Sequence, residues 1–182
     1  VLAVGARDRK SHARPHISGL AKRGKPSAHH QGHQRYPEAI RILQREFKRA
    51  GGENHYFFCG RDIVAYKSFN VPIESAWNIL NESQKGLSGV ECHARMSITH
   101  YKGKTEVAAV TNEPIPGLPG SENGVVIMKL LRNSHSAPDR GKVCIVGRNP
   151  DAMWFDDYED RVLYDEAGLF EYTRVKKDAP QG

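Results

Sequence analysis

Nine histidines and three cysteines are the side chains of this 182-residue chain best suited to acid–base, nucleophilic or metal chemistry. Their spacing restricts what they can do. Cys59, Cys92 and Cys144 form no C-x-x-C pair, so a structural zinc site is not expected; no other metal and no cofactor is expected either. They leave room for one disulfide and a free thiol in an oxidising compartment, or for three reduced thiols. Five of the histidines, His12, His16, His29, His30 and His33, lie in a basic N-terminal stretch, and only His55, His93, His100 and His135 fall beyond it. Beside Cys92, His93 reads as a surface histidine. Glu106, next to Lys104 on a strand pattern, reads as a solvated face residue. Arg140 follows Asp139 and can pair with it or with a strand-edge carbonyl.

The charge of the chain is divided. Residues 1–50 hold 12 Lys+Arg against 3 Asp+Glu, whereas residues 51–182 hold 15 against 18. The net +6 therefore belongs to the arm, and the remainder is mildly acidic. A basic arm can make salt-sensitive phosphate contacts, but a nucleic-acid role for the rest would need a local patch. No run approaches the roughly 18 apolar residues of a spanning helix, so no membrane partner is expected. The chain starts at Val1 rather than Met, which reads as a processed product. Val1–Ala6 resembles the end of a secretory signal, and Lys22-Arg23 suits a dibasic processing protease.

Three regions must position these residues: a disordered basic arm over 1–35, an amphipathic helix over 36–52, and an α+β domain over 53–175. The arm is rich in Gly, Pro, Ser, His and basic residues without apolar period. In the helix, Pro37 suits the first turn, Ile40, Leu43 and Phe47 share a face, and Lys48 and Arg49 meet the C-terminal end. Docking on the domain is its expected role. Tyr56 to Cys59 is aromatic and extended. Residues 71–81 form a second helix in which Ile73, Ala76, Trp77 and Leu80 share a face, making Trp77 a core residue. Period-two segments follow at 96–101, 105–111, 125–131 and 141–147, with Lys102-Gly103-Lys104 as a turn. Residues 151–171, acidic and aromatic, read as one or two further strands, whereas 61–69 is ambiguous. The expected fold is one central helix packed on an antiparallel sheet, with an extra N-terminal amphipathic helix.

Three segments carry a resemblance to a known family: Tyr56-Phe57-Phe58-Cys59-Gly60, the Val71…Ala76 spacing of the second helix, and Pro138-Asp139-Arg140 leading into Val143-Cys144-Ile145-Val146. Over about residues 53–160 the chain resembles the RNase-like secreted effectors of powdery-mildew-type fungi, relatives of the small guanyl-specific ribonucleases. The resemblance implies a microbial ribonuclease-like fold and strand roles for Tyr56, Cys59 and Cys144. It also implies a disulfide from Cys59 to Cys144 or Cys92, although nothing after Gly147 is Cys. If the chain is active, it implies His93 as the assisting histidine, Glu106 or Glu113 as the base and Arg140 as the phosphate-neutralising group. The histidine that should act as general acid is missing: Met153–Tyr158 has none, and Asp156, Asp157, Glu159 and Asp160 would oppose RNA. The implied protein is a secreted, catalytically inactive effector acting in virulence. It is expected to reach a host cell and bind a host protein, an immune receptor or RNA. The alternatives are an active endoribonuclease or ribotoxin using His100 or His135, and an RNA-binding, ribosome-associated structural protein.

Overall fold

A computed structural model of the chain describes residues 3–6, 32–59, 70–133 and 139–171. The body is a sheet of six strands: β2 (Asn54–Phe58), β3 (Arg95–Thr99), β4 (Gly103–Val110), β5 (Val125–Asn133), β6 (Val143–Gly147) and β7 (Val162–Asp165), with the short β1 (Ala3–Ala6) added at the β2 edge. The spatial order follows the sequence order, and every neighbouring pair is antiparallel except β2–β3, which is parallel. A parallel pair needs a crossover, and α2 (Ile73–Gln84) supplies it. The fold is α+β, with a mostly antiparallel sheet. The parallel step is absent from the expected all-antiparallel sheet because pairing direction depends on long-range docking, which local periodicity does not encode.

α2 lies on one face of the sheet. Ile73, Ala76 and Leu80 are buried at helical spacing, and they join Phe57, Met96, Ile98, Val107, Met128 and Val146 in one core. Trp77 packs against this core while partly buried. Glu74, in the first turn, is 2% exposed. Its carboxylate accepts from Arg148 Nε at 2.9 Å and from the Asn149 N–H at 2.7 Å, and it pairs with Arg148 Nη2 at 2.8 Å. This buried pair ties the helix start to the end of β6, at the pole of the helix dipole that favours an anion.

α1 (Gly32–Arg49) begins before Pro37 and docks on α2 largely through polar contacts. Arg41 donates to Ser83 O (3.3 Å) and Glu82 O (2.9 Å), and Arg45 to Gly86 O (3.4 Å). Guanidinium groups thus meet carbonyls at the C-terminal end of α2, where they have no intrahelical partner. Fully buried Gln44 completes the seam through Ser83 Oγ at 3.0 Å. Of the arm read as disordered over 1–35, residues 3–6 form β1 and 32–35 open α1. β1 satisfies backbone groups along the β2 edge. Lys22-Arg23, 61–69 and His135 lie outside the described residues.

The acidic segment read as strand forms a 3-10 turn, Phe155–Arg161, before β7. The Asp157 carboxylate accepts the N–H groups of Met153 (2.8 Å) and Trp154 (3.0 Å). Such local side-chain bonds favour a turn over a ladder. Phe155 and Tyr158 then enter the core.

Candidate binding face of the sheet

Strand alternation sorts the side chains. Phe57, Met96 and Ile98 point into the core at 1%, 2% and 0% exposure, so Tyr56, Phe58, Arg95, Ser97 and Thr99 belong to the opposite face. Register extends that face. Tyr56 lies beside Arg95 and Phe58 beside Ser97. Across β3 and β4, Ser97 opposes Glu106 and Thr99 opposes Lys104. On β5, Lys129 opposes Glu106 and Arg132 opposes Lys104. Among the described residues, both helices and the 3-10 turn pack on the core side, and none covers this face.

The small outward residues of β3 make a trough between the aromatic rings of β2 and the longer chains of β4. Lys104 reaches across it, its Nζ 4.4 Å from the Tyr56 ring centroid and 4.8 Å from that of Phe58. The two rings are 5.7 Å apart and tilted by 52°. Beneath them Ser97 is fully buried, and its hydroxyl has no hydrogen-bond partner among the described residues. Arg95 Nη1 approaches Glu106 Oε2 at 3.5 Å, with Arg95 mostly exposed; such a pair contributes little stability. Arg95, Lys104, Lys129 and Arg132 thus face one carboxylate, Glu106. Farther along lie Val143, Ile145 and the exposed ring of Tyr164. A separate cleft of about 130 Å³ lies on the core side between α2 and β3–β4, lined by Trp77, Leu80, Gln84, Met96 and Val107, with Arg95 and Glu106 at its margin.

Not all of the sequence-derived candidates lie on this face. Glu106 does. His93 is exposed in the segment that enters β3. Arg140 is exposed in the β5–β6 turn, whereas Glu113 is exposed beyond the far end of β4. Eight strand residues separate those ends, on the order of 25 Å at about 3.3 Å each, so Glu113 and Arg140 do not share a site. His100 turns inward, 4.5 Å from the Phe155 ring, and burial lowers its pKa to about 4. Its Nδ1 accepts the Lys102 N–H at 3.2 Å. Asp139, beside Arg140, pairs with Lys142 (2.8 Å) and Lys102 (3.2 Å), which hold its carboxyl down near 2. The acids around Asp157 sit with the 3-10 turn on the core side, away from the trough.

The expected disulfide is corrected: Cys59, Cys92 and Cys144 are all free. Burial pushes the Cys59 thiol up to about 12. It also raises Cys144, with the charge of Asp165 adding to it. Both sulfurs fill core positions as small apolar groups. Among the described residues, no group of His, Cys, Asp and Glu is arranged to hold a metal ion, and no helix is long and apolar enough to cross a membrane.

Compared with known proteins, the chain is similar to a protein of Aquifex aeolicus (strain VF5) named "Putative L-lysine 2,3-aminomutase", being 29% identical over 135 residues, 72% of this chain. Those residues are 32% of that protein, so the chain spans about a third of its length. No protein-family model and no solved structure matches. This overturns the resemblance to RNase-like secreted effectors: the relative is a bacterial protein named for an aminomutase. The motifs behind that resemblance have local explanations. In Tyr56-Phe57-Phe58-Cys59 the rings alternate between trough and core, and Cys59 is a buried thiol. In Asp139-Arg140 the aspartate secures a turn through two lysines. His93, Glu106, Glu113 and Arg140 stand only on their own geometry.

Arg95, Lys104, Lys129 and Arg132 were not singled out in the sequence. The period-two pattern places only Lys129 on the polar side of a strand; Arg95, Lys104 and Arg132 fall outside the segments it marks, and Arg132 joins this face through the irregularity opposite Lys104 and Thr105.

Proposed function

We propose that the chain is a binding module, and that the open sheet face takes an anionic ligand bearing a stackable ring, of the nucleotide class. One observation carries the reading: an ammonium group rests over two neighbouring aromatic rings on a sheet face that no helix among the described residues covers, with three further cations around it. Rings supply stacking that tolerates any base, and a basic surround attracts the phosphate. The test is titration of the full chain with nucleoside monophosphates and short oligonucleotides at low salt, followed by NMR. Tyr56→Ala should weaken binding by about 1–3 kcal/mol, the usual worth of one stacked base. Lys129→Ala should lower the salt slope for an oligonucleotide by about one. Binding unchanged in both variants would exclude this face, because the basic arm alone would then account for it.

The likeness to a protein named for an L-lysine aminomutase favours a second reading, in which the chain handles the amino acid. Free lysine carries two ammonium groups, and the trough offers them one carboxylate among four cations. L-Lysine titration is the discriminating experiment: shifts at Tyr56 and Glu106 with L-lysine but not with nucleotides would reverse the preference.

A further inference from the structure

We propose that Lys104 is the specificity gate of this face, admitting ring ligands that carry an anionic group and rejecting neutral ones. The inference rests on the nucleotide reading above. The Lys104 ammonium lies within 5 Å of both ring centroids and therefore occupies the surface on which a ligand ring would stack. It is held there by cation–π attraction, with Ser97 and Thr99 too short to obstruct it. A ligand ring must displace it. A neutral nucleoside gives the displaced ammonium nothing in return, so the lost cation–π contact counts against binding. A phosphate offers it a charge-assisted bond that replaces the lost contact. Arg132, directly opposite Lys104 on β5, lies along the same path toward the phosphate.

The gate makes opposite predictions for two ligands. In Lys104→Met the apolar stem remains but the ammonium is gone. Adenosine should bind about 2- to 5-fold more tightly, the value of an exposed cation–π contact. AMP should bind roughly 2- to 50-fold more weakly, the value of a hydrogen bond to a charged group less the same cation–π gain. The preference for AMP over adenosine should therefore fall by more than tenfold. A second readout needs no variant. Ring currents should shift the Lys104 ε-methylene protons upfield in the free protein, and AMP should return them toward ordinary values.

The outcomes separate. If neither ligand perturbs Tyr56 at millimolar concentration, the nucleotide reading fails and the gate with it. If AMP perturbs Tyr56 while the Lys104 protons stay upfield, or if Lys104→Met changes both affinities alike, the gate alone is overturned.

Discussion

Acidification should expose the cost of keeping His100 neutral. The ring is 4% exposed and lies against Phe155. Burial lowers its pKa from 6.5 to about 4; the Lys102 charge acts in the same direction, and Asp156 and Asp165 oppose it. Between these two values the unfolded chain binds a proton that the native state refuses, so stability must fall as pH falls. The contribution is intact above pH 6.5 and gone near pH 4. A shift of this size corresponds to about 3 kcal/mol, at about 1.4 kcal/mol per pKa unit. That is a large share of the roughly 5–15 kcal/mol that holds a domain folded. The carboxylates lowered by their partners, Glu91, Glu122 and Asp139, have ordinary values of 4.5 or below, so most of their loss comes at lower pH. Urea unfolding between pH 7 and 4.5, compared with a variant that cannot titrate at position 100, therefore separates the histidine from them. His100→Asn keeps an acceptor for the Lys102 N–H but cannot titrate. The variant should start less stable, because it lacks the ring against Phe155, yet lose about 2–3 kcal/mol less than the native chain over that interval. Parallel loss in both proteins would refute the argument.

Other consequences can be checked directly. In a thiol-reagent assay without reductant, Cys92 should react in the native protein, whereas Cys59 and Cys144 should react only in denaturant, bringing the total to three; a total of one would mean a disulfide. Arg148→Met should destabilise by about 3–5 kcal/mol, because it strands the buried Glu74 carboxylate. Glu74→Gln should cost less, on the order of 1–2 kcal/mol, since Arg148 is about a quarter exposed and also donates to Asn112. Equal costs would argue against this asymmetry. Gly124→Ala should destabilise by clearly more than about 1 kcal/mol, because its φ is +83° and a Cβ would sit 2.1 Å from Thr111 O. Gly117→Ala has a similar φ of +79° in open space, and thermal melts should rank it as the milder change.

Local periodicity was enough to read α2 and the strands within 96–101, 105–111, 125–131 and 141–147, because apolar positions at period 3.6 or 2 mark the core side wherever they occur. It could not show which strands meet, and the candidate face depends on that. The turn after β3 illustrates the difference. Lys102-Gly103-Lys104 has turn composition, yet the backbone closes between His100 and Gly103, with reciprocal bonds of 2.8 and 3.1 Å. Moving the turn back by two residues frees Lys104 for the strand, facing outward, and bends His100 inward against Phe155. A one-residue slip in the β3–β4 register would take Lys104 off the aromatic face altogether. The charge count is blind to placement for a related reason. Residues 51–182 are net acidic, and a sum over the domain cannot report that acids gather around the 3-10 turn while cations line the trough. The mildly acidic balance of residues 51–182 is therefore no measure of the charge at the trough. What attracts a phosphate is the potential at the face it approaches, and there four cations meet one carboxylate.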